Sequence, residues 1–205
     1  MSLEFIKDID QSVVILTTPR TGSTALCRVL ADKCNLVYCN EVFSPITTPA
    51  RIKSFWDYFN RNINTVSKIF PDHHIRFTEE EFNKIISKSF VIFLERQDIA
   101  NQVISYHILS RTNKPWYSKG ELITEYLVDE SEISVSVSHI LKLRKEAEKY
   151  QQIANVSIVY EDIVNDIVND HIIKYPKPKN YESLKIKVDN VLSNFLKLQQ
   201  KHKDV

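Results

Sequence analysis

Residues 13–31, with the sequence VVILTTPRTGSTALCRVLA, decide the fold of this chain. They begin with a four-residue apolar run, Val13–Leu16, and end in a pattern typical of a helix. Between the two stands Gly22, one of only two glycines among 205 residues, which indicates a need for a positive φ angle or for close approach of a ligand. A strand, a tight turn and a helix start direct backbone N–H groups and the positive end of the helix dipole toward an anion. The stretch therefore predicts an anion-binding loop.

The side chains of this loop favour an oxyanion as its ligand. Arg20 supplies a fixed positive charge that can bind phosphate or sulfate bidentately, and Ser23 and Thr24 supply hydroxyl donors. The loop is not a Walker A motif, because the first glycine and the lysine of GxxxxGK[ST] are missing. The alternative is an ordinary turn from strand to helix in which Ser23 only caps the helix.

The composition is that of an ordinary globular protein. A length of 205 residues fits one domain over residues 1–205, and 43% hydrophobic and 26% charged residues are typical of such a domain. The net charge is +1, so neither a nucleic-acid surface nor a membrane surface is indicated. An anion site must therefore arise from a few locally placed residues.

Several sequence features bear on the cellular compartment. Residues 1–5 include a glutamate and lead into no long apolar stretch, so we expect no signal peptide. No apolar run approaches the ~20 residues that a membrane-spanning helix needs. Cys27, Cys34 and Cys39 are odd in number and lack CxxC spacing, which favours reduced core cysteines over disulfides or a zinc site. We expect a cytoplasmic protein.

Apolar runs of strand length alternate with helical patterns along the chain. The predicted strands are Val13–Thr17, Leu36–Tyr38, Thr65–Ile69, Phe90–Glu95 and Val156–Tyr160. The predicted helices lie near Ser23–Lys33, Pro49–Asn60, Thr78–Lys88, Asp98–Arg111, Ser134–Gln152 and Tyr181–Gln200, and two predicted loops are Arg111–Glu125 and Lys174–Lys179. This alternation is typical of an α/β fold with a parallel sheet that helices cover on both faces.

A second polar motif follows the strand Phe90–Glu95. The strand delivers Arg96 to its carboxyl end, Asp98 starts a helix, and Asn101 and Ser105 share one face of that helix. Ligands of open parallel sheets bind beyond the carboxyl ends of the strands. We therefore expect Arg96 to lie at the same edge of the sheet as the first loop.

Two further polar segments lie at predicted strand ends. Glu41 follows the short strand Leu36–Tyr38, and Lys68 lies in Thr65–Ile69, a few residues ahead of His73 and His74. The spacing of these residues matches no metal site, and we expect none. A carboxylate can accept the proton of a reacting hydroxyl group, and a lysine can stabilise negative charge.

The two phosphate-type motifs together resemble those of sulfotransferases that use 3′-phosphoadenosine-5′-phosphosulfate (PAPS). The stretch PRTGST at 19–24, followed by Ala25 and Leu26, is similar to their 5′-phosphosulfate loop. The pattern LxRxDxxxQxxS at 94–105 is similar to their 3′-phosphate motif, and it matches best the bacterial trehalose-sulfotransferase-like group. In cytosolic sulfotransferases the arginine precedes the serine by eight residues, and here by nine. The resemblance implies a P-loop-like three-layer sandwich with a central parallel sheet.

The resemblance also implies a reaction. A sulfuryl group would pass from PAPS to a hydroxyl of a small-molecule or carbohydrate acceptor, leaving adenosine 3′,5′-bisphosphate, with no metal. Glu41 would be the general base, and Arg20 and Lys68 would stabilise charge. The residues expected to bind the donor are Arg20, Thr21, Gly22, Ser23, Thr24, Arg96 and Ser105.

Alternatives remain at this stage. His73 or His74 is a competing base, since cytosolic sulfotransferases use a histidine near this place in sequence. A small-molecule kinase of the P-loop type, with ATP and Mg²⁺, is one alternative function, and a catalytically idle nucleotide-binding protein of the same fold is another. Tyr160-Glu161-Asp162 is similar to a segment that sulfotransferases often carry, and packing at the strand end explains it equally well, so we expect a structural role for it.

Overall fold

The computed structural model describes residue 6 and residues 9–112, 129–171 and 178–201. The strands in these ranges are β1 (Ser12–Thr17), β2 (Val37–Asn40), β3 (Thr65–Ile69), β4 (Ser89–Glu95) and β5 (Val156–Val159). The α-helices are α1 (Ser23–Lys33), α2 (Pro49–Asn60), α3 (Glu79–Ser87), α4 (Ile99–Thr112), α5 (Ile133–Gln151), α6 (Tyr160–His171) and α7 (Tyr181–Lys201), and a 3₁₀ helix spans Pro71–Arg76. Most of each predicted loop, Arg111–Glu125 and Lys174–Lys179, falls in residues 113–128 and 172–177, which lie outside the described residues.

The five strands form one parallel sheet in the order β2-β3-β1-β4-β5. All six residues of β1 are buried, as expected for the central strand of a parallel sheet covered on both faces. The parallel direction brings the carboxyl ends of all five strands to one edge. The predicted α/β fold with a central parallel sheet is confirmed.

Helices cover both faces of the sheet. On one face Val13 and Ile15 of β1 pack in a core with residues of α1 and α6. On the other face Val14 and Leu16 pack with residues of α2, α3 and the C-terminal part of α5. Successive side chains of a strand point to opposite faces, so the continuous apolar run of β1 serves both cores at once. The result is the predicted three-layer sandwich.

Helix α6 was not predicted from the sequence. The strand predicted over Val156–Tyr160 ends at Val159, and Tyr160 already begins α6. Ile163 and Ile167 stand one helical turn apart, and both are fully buried against the α1 face of the sheet. Their burial compensates for a sequence rich in Asn and Asp, which have low intrinsic helix propensity.

The chain divides into two compact units. The first contains Met1–Gln97 and Leu143–Ile172, and with them the whole sheet; the second contains Asp98–Lys142 and Ile173–Val205. In the second unit α4 packs against α7, and its core includes Val103, Ile140 and Leu184. The single domain expected over residues 1–205 stays a prediction.

None of the helices in the described ranges is long and apolar enough to cross a lipid bilayer. The expected cytoplasmic compartment stays a prediction.

Candidate functional site

The loop between β1 and α1 has the backbone conformation that its glycine predicts. Gly22 is the N-cap of α1 and has a left-handed conformation, with φ of 80°. Its carbonyl accepts hydrogen bonds from the N–H groups of Ala25 and Leu26, at 3.0 and 3.1 Å. Arg20 also has a positive φ, 66°, which is uncommon for a residue with a Cβ. Because the N-cap is a glycine, no capping side chain covers the N–H groups of the first turn, and Ser23 is not the cap.

Threonine hydroxyls stabilise this loop from within. The hydroxyl of Thr17 donates to the carbonyl of Leu94 on β4 at 2.6 Å and lies 2.7 Å from the hydroxyl of Thr21. Thr21 in turn donates to the carbonyl of Thr18 at 3.1 Å. Thr17 and Thr21 are fully buried. The side chain of Thr21, which was expected to bind the donor, thus forms bonds within the loop, and its role toward a ligand stays a prediction.

The ends of β2 and β3 bring a carboxylate and an ammonium group to this loop. Lys68 Nζ lies 2.7 Å from Oε1 of Glu41 and also donates to the hydroxyl of Thr24, in the first turn of α1. The strands are neighbours and run in parallel, so residues at their carboxyl ends meet. Glu41 directly follows Asn40, whose φ of 52° lies next to a register shift in β2. Glu41, Lys68 and Thr24, separate in sequence, therefore form one cluster.

Burial differs sharply between the two charged partners. The Lys68 side chain is only 2% exposed, whereas that of Glu41 is 36% exposed. A buried ammonium group without a partner would cost several kcal/mol, so the ion pair with Glu41 and the bond to Thr24 account for its presence there. The carboxylate of Glu41 remains accessible to a molecule in solution, which a proton acceptor requires.

The two competing bases are placed differently. His73 is buried, and its Nδ1 accepts a hydrogen bond from the N–H of Phe70 at 3.3 Å. His74 Nε2 lies 2.5 Å from the hydroxyl of Tyr150, among aromatic rings. Burial lowers the pKa of both histidines below the usual value. Both rings form hydrogen bonds inside the first unit, and the choice of Glu41 as the base stays a prediction.

Arg96 contacts the loop directly. Its Nη1 donates to the carbonyl of Arg20 at 3.2 Å, and its guanidinium group lies 5.1 Å from the centre of the Tyr160 ring. The carboxylate of Glu161 accepts a hydrogen bond from the N–H of Gln97 at 3.0 Å and lies 3.8 Å from Arg96 Nε. Arg96 thus lies at the expected edge of the sheet, and it contacts the loop expected to bind the 5′-phosphate.

Ser105 lies on α4, in the second unit. Asp98 precedes this helix, and its carboxylate accepts a hydrogen bond from the N–H of Asn101 at 2.9 Å, so Asp98 starts the helix as expected. The predicted roles of Ser105 and Arg96 toward a 3′-phosphate stay predictions.

Sequence reasoning missed the part that Tyr160 plays at the loop. A Cβ atom placed on Gly22 would lie 2.3 and 2.5 Å from two carbons of the Tyr160 ring. The glycine is therefore needed for close approach of a protein side chain as well as for its φ angle. The similarity of Tyr160-Glu161-Asp162 to sulfotransferases was the available signal, but a local pattern does not show which distant residue a side chain contacts.

The described residues include no group of three His, Cys, Asp or Glu side chains that could bind a metal ion. The expected absence of a metal stays a prediction.

Comparisons with known proteins give a likeness of fold at a low level. No protein-family model and no curated protein matches the chain. A shikimate kinase from Acinetobacter baumannii, solved in complex with shikimate, is among the structures that match, with a TM-score of 0.39 and 12% identity over 90% of this chain and 95% of that one. None of the comparisons shows the sulfotransferase family.

Proposed function

We propose that this protein transfers a sulfuryl group from PAPS to a hydroxyl group of a small-molecule or carbohydrate acceptor. The observation that carries the proposal is the cluster of Glu41, Lys68 and Thr24 beside a loop with a glycine N-cap. It combines an anion-binding turn, a buried cation and a partly exposed carboxylate at one edge of the sheet. These are the groups that transfer of an anionic group to a hydroxyl requires.

The loop residues fit the 5′-phosphosulfate end of the donor. The helix start at Ser23 offers backbone N–H groups to an anion, and Arg20 adds a positive charge that a sulfate or phosphate oxygen can pair with. Following the resemblance, Arg96 and Ser105 would bind the 3′-phosphate of the same donor. PAPS is consumed as a substrate in this scheme and is released as adenosine 3′,5′-bisphosphate.

The proposed step is a displacement at sulfur. The acceptor oxygen forms a bond to sulfur, the bond from sulfur to the oxygen of the 5′-phosphate breaks, and the acceptor proton passes to the carboxylate of Glu41. The electron pair of the broken bond stays with the departing phosphate, where Arg20 and Lys68 stabilise the negative charge. The ion pair at 2.7 Å also orients the Glu41 carboxylate, which limits the reorganisation needed at the moment of transfer.

A small-molecule kinase is the second candidate function, and one contact favours it. Walker A kinases place a lysine at the phosphates beside a Ser or Thr that binds Mg²⁺. Here Thr24 follows the glycine at the matching interval, and Lys68 reaches its hydroxyl from the neighbouring strand. Lys68 would then replace the missing lysine of the loop. In the same arrangement the Thr24 hydroxyl accepts a hydrogen bond from the ammonium group of Lys68.

A ligand panel separates the two candidates. Thermal unfolding is measured with adenosine 3′,5′-bisphosphate, with ATP and Mg²⁺, with adenosine 5′-phosphate and without ligand. We expect the largest stabilisation from the bisphosphate, because only that ligand carries both phosphates of the donor product. Selective stabilisation by ATP with Mg²⁺ would overturn the proposal in favour of the kinase.

Transfer itself is measured with sulfur-labelled PAPS and a panel of sugars, lipid-linked sugars and phenols. Glu41→Gln is expected to lower kcat by about 10²–10⁴-fold with little change in the dissociation constant of the bisphosphate, because the amide cannot accept a proton. Glu80→Gln, an exposed glutamate of α3, is the matched control. If His73→Asn or His74→Asn loses activity while Glu41→Gln keeps it, the assignment of Glu41 as the general base is wrong. Bisphosphate binding without any transfer would indicate the idle binding protein.

A further inference from the structure

The aromatic ring of Tyr160 supports the loop at its glycine. Tyr160 is the first residue of α6 and follows β5 directly, so it stands at the same edge of the sheet as the loop. Its ring occupies the place where a side chain at residue 22 would lie, with ring carbons 2.3 and 2.5 Å from the position of a Cβ. The backbone at Gly22 is thus packed directly against this ring.

Arg96 contacts the same ring. Its guanidinium group lies 5.1 Å from the centre of the Tyr160 ring, within the range of a cation–π interaction. The same side chain donates to the carbonyl of Arg20, the residue with φ of 66°. Only 19% of the Arg96 side chain is exposed, so most of its surface is shielded from solvent.

Neighbouring groups restrain Arg96 in turn. Nη1 of Arg144, on α5, donates to the carbonyl of Arg96 at 2.6 Å. Glu161 binds the N–H of Gln97 and lies 3.8 Å from Arg96 Nε, beyond hydrogen-bonding distance but close enough for electrostatic attraction. The hydrogen bond from Arg144 therefore restrains the backbone of Arg96, and an arginine with a restrained backbone can in turn restrain the loop that its side chain contacts.

We infer that Tyr160 and Arg96 are positioning residues that stabilise residues 20–22 in the conformation that receives the 5′-phosphate end of the donor. The inference deepens the proposed function and rests on it for the identity of the donor. One consequence distinguishes this positioning role from a role of Arg96 in binding the 3′-phosphate alone. Loss of either side chain weakens the binding of a ligand that has only a 5′-phosphate.

The experiment measures the affinity of adenosine 5′-phosphate by titration calorimetry. For Arg96→Ala and Tyr160→Leu we expect losses of affinity of about tenfold each, because the first removes the hydrogen bond to the carbonyl of Arg20 and the second removes the ring that packs against Gly22. Tyr160→Phe, which keeps the ring, is expected to recover most of the affinity. Tyr58→Ala, which removes a partly exposed ring of α2, is the matched control. Unchanged affinity in both Arg96→Ala and Tyr160→Leu would overturn the inference.

A second measurement does not depend on nucleotide binding. Amide hydrogen exchange at residues 20–24 of the ligand-free protein is expected to be about tenfold faster in Arg96→Ala and Tyr160→Leu than in the wild type and in Tyr160→Phe. If the wild-type protein binds none of the adenosine phosphates, the proposed function fails, and the exchange rates alone decide the inference. Exchange at these amides equal to the wild type in both variants would then refute it. Exchange that is faster throughout the first unit would also refute it, because it indicates general destabilisation.

Discussion

Replacing Gly22 by alanine tests how closely the loop fits against Tyr160. The new Cβ would lie 2.3, 2.5 and 3.3 Å from three ring carbons, whereas carbon atoms in contact are normally about 3.5–4.0 Å apart. The ring must move, and overpacking of this kind costs about 1–3 kcal/mol. An L-residue at φ of 80° adds about 1–2 kcal/mol of backbone strain. We therefore expect the free energy of unfolding to fall by roughly 2–5 kcal/mol.

Urea unfolding measures this loss, and a double variant separates its two parts. Tyr160→Leu in the Gly22→Ala background removes the ring and should recover the overpacking part, about 1–3 kcal/mol, while the backbone strain remains. A loss below about 1 kcal/mol in Gly22→Ala, or no recovery in the double variant, would refute the reasoning that the ring requires a glycine.

Three further predictions concern Arg20, Lys68 and His73. Arg20→Gly and Arg20→Ala are both expected to lower kcat by about 10²–10³-fold in steady-state kinetics. The glycine variant should be the more stable of the two, because the φ angle of residue 20 is 66°. A change confined to KM would contradict a role of Arg20 in charge stabilisation. Lys68→Met should also lower kcat by about 10²–10³-fold, because it removes the buried charge beside Glu41. Wild-type turnover of this variant in the transfer assay would contradict the prediction. Burial lowers the pKa of His73, so the unfolded chain binds the proton more readily; the free energy of unfolding should be fully retained above pH ~6.5 and fall as the pH drops below it. Urea unfolding at pH 7.5 and at pH 5.5 checks this, and His73→Gln should show a smaller fall than the wild type, while His74 contributes with the same sign.

Much of the fold follows from local sequence. The apolar run of β1, the glycine at residue 22 and the alternation of strand and helix patterns were enough to predict a parallel sheet with helices on both faces. Each of these features reflects short-range physics: the period of the side chains, the conformational freedom of glycine and the geometry of a helix start. The edge of the sheet at which Arg96 and the loop meet followed from the parallel direction of the strands. Helix α6 was not predicted, because its stability comes from the burial of Ile163 and Ile167 in the tertiary structure.

The sequence by itself determined a glycine turn from strand to helix and a set of charged residues at strand ends, because those are properties of neighbouring residues. Only the tertiary structure decided which of them touch. The pairing of β2 with β3 places Glu41 on Lys68, and the position of β5 beside β4 places Tyr160 under Gly22 and against Arg96. These contacts join residues far apart in the chain, and strand order, which depends on the packing of the whole sheet, sets them. The conformation of the loop follows from neighbouring residues, whereas Tyr160 and Arg96, which contact it, are brought there by the fold.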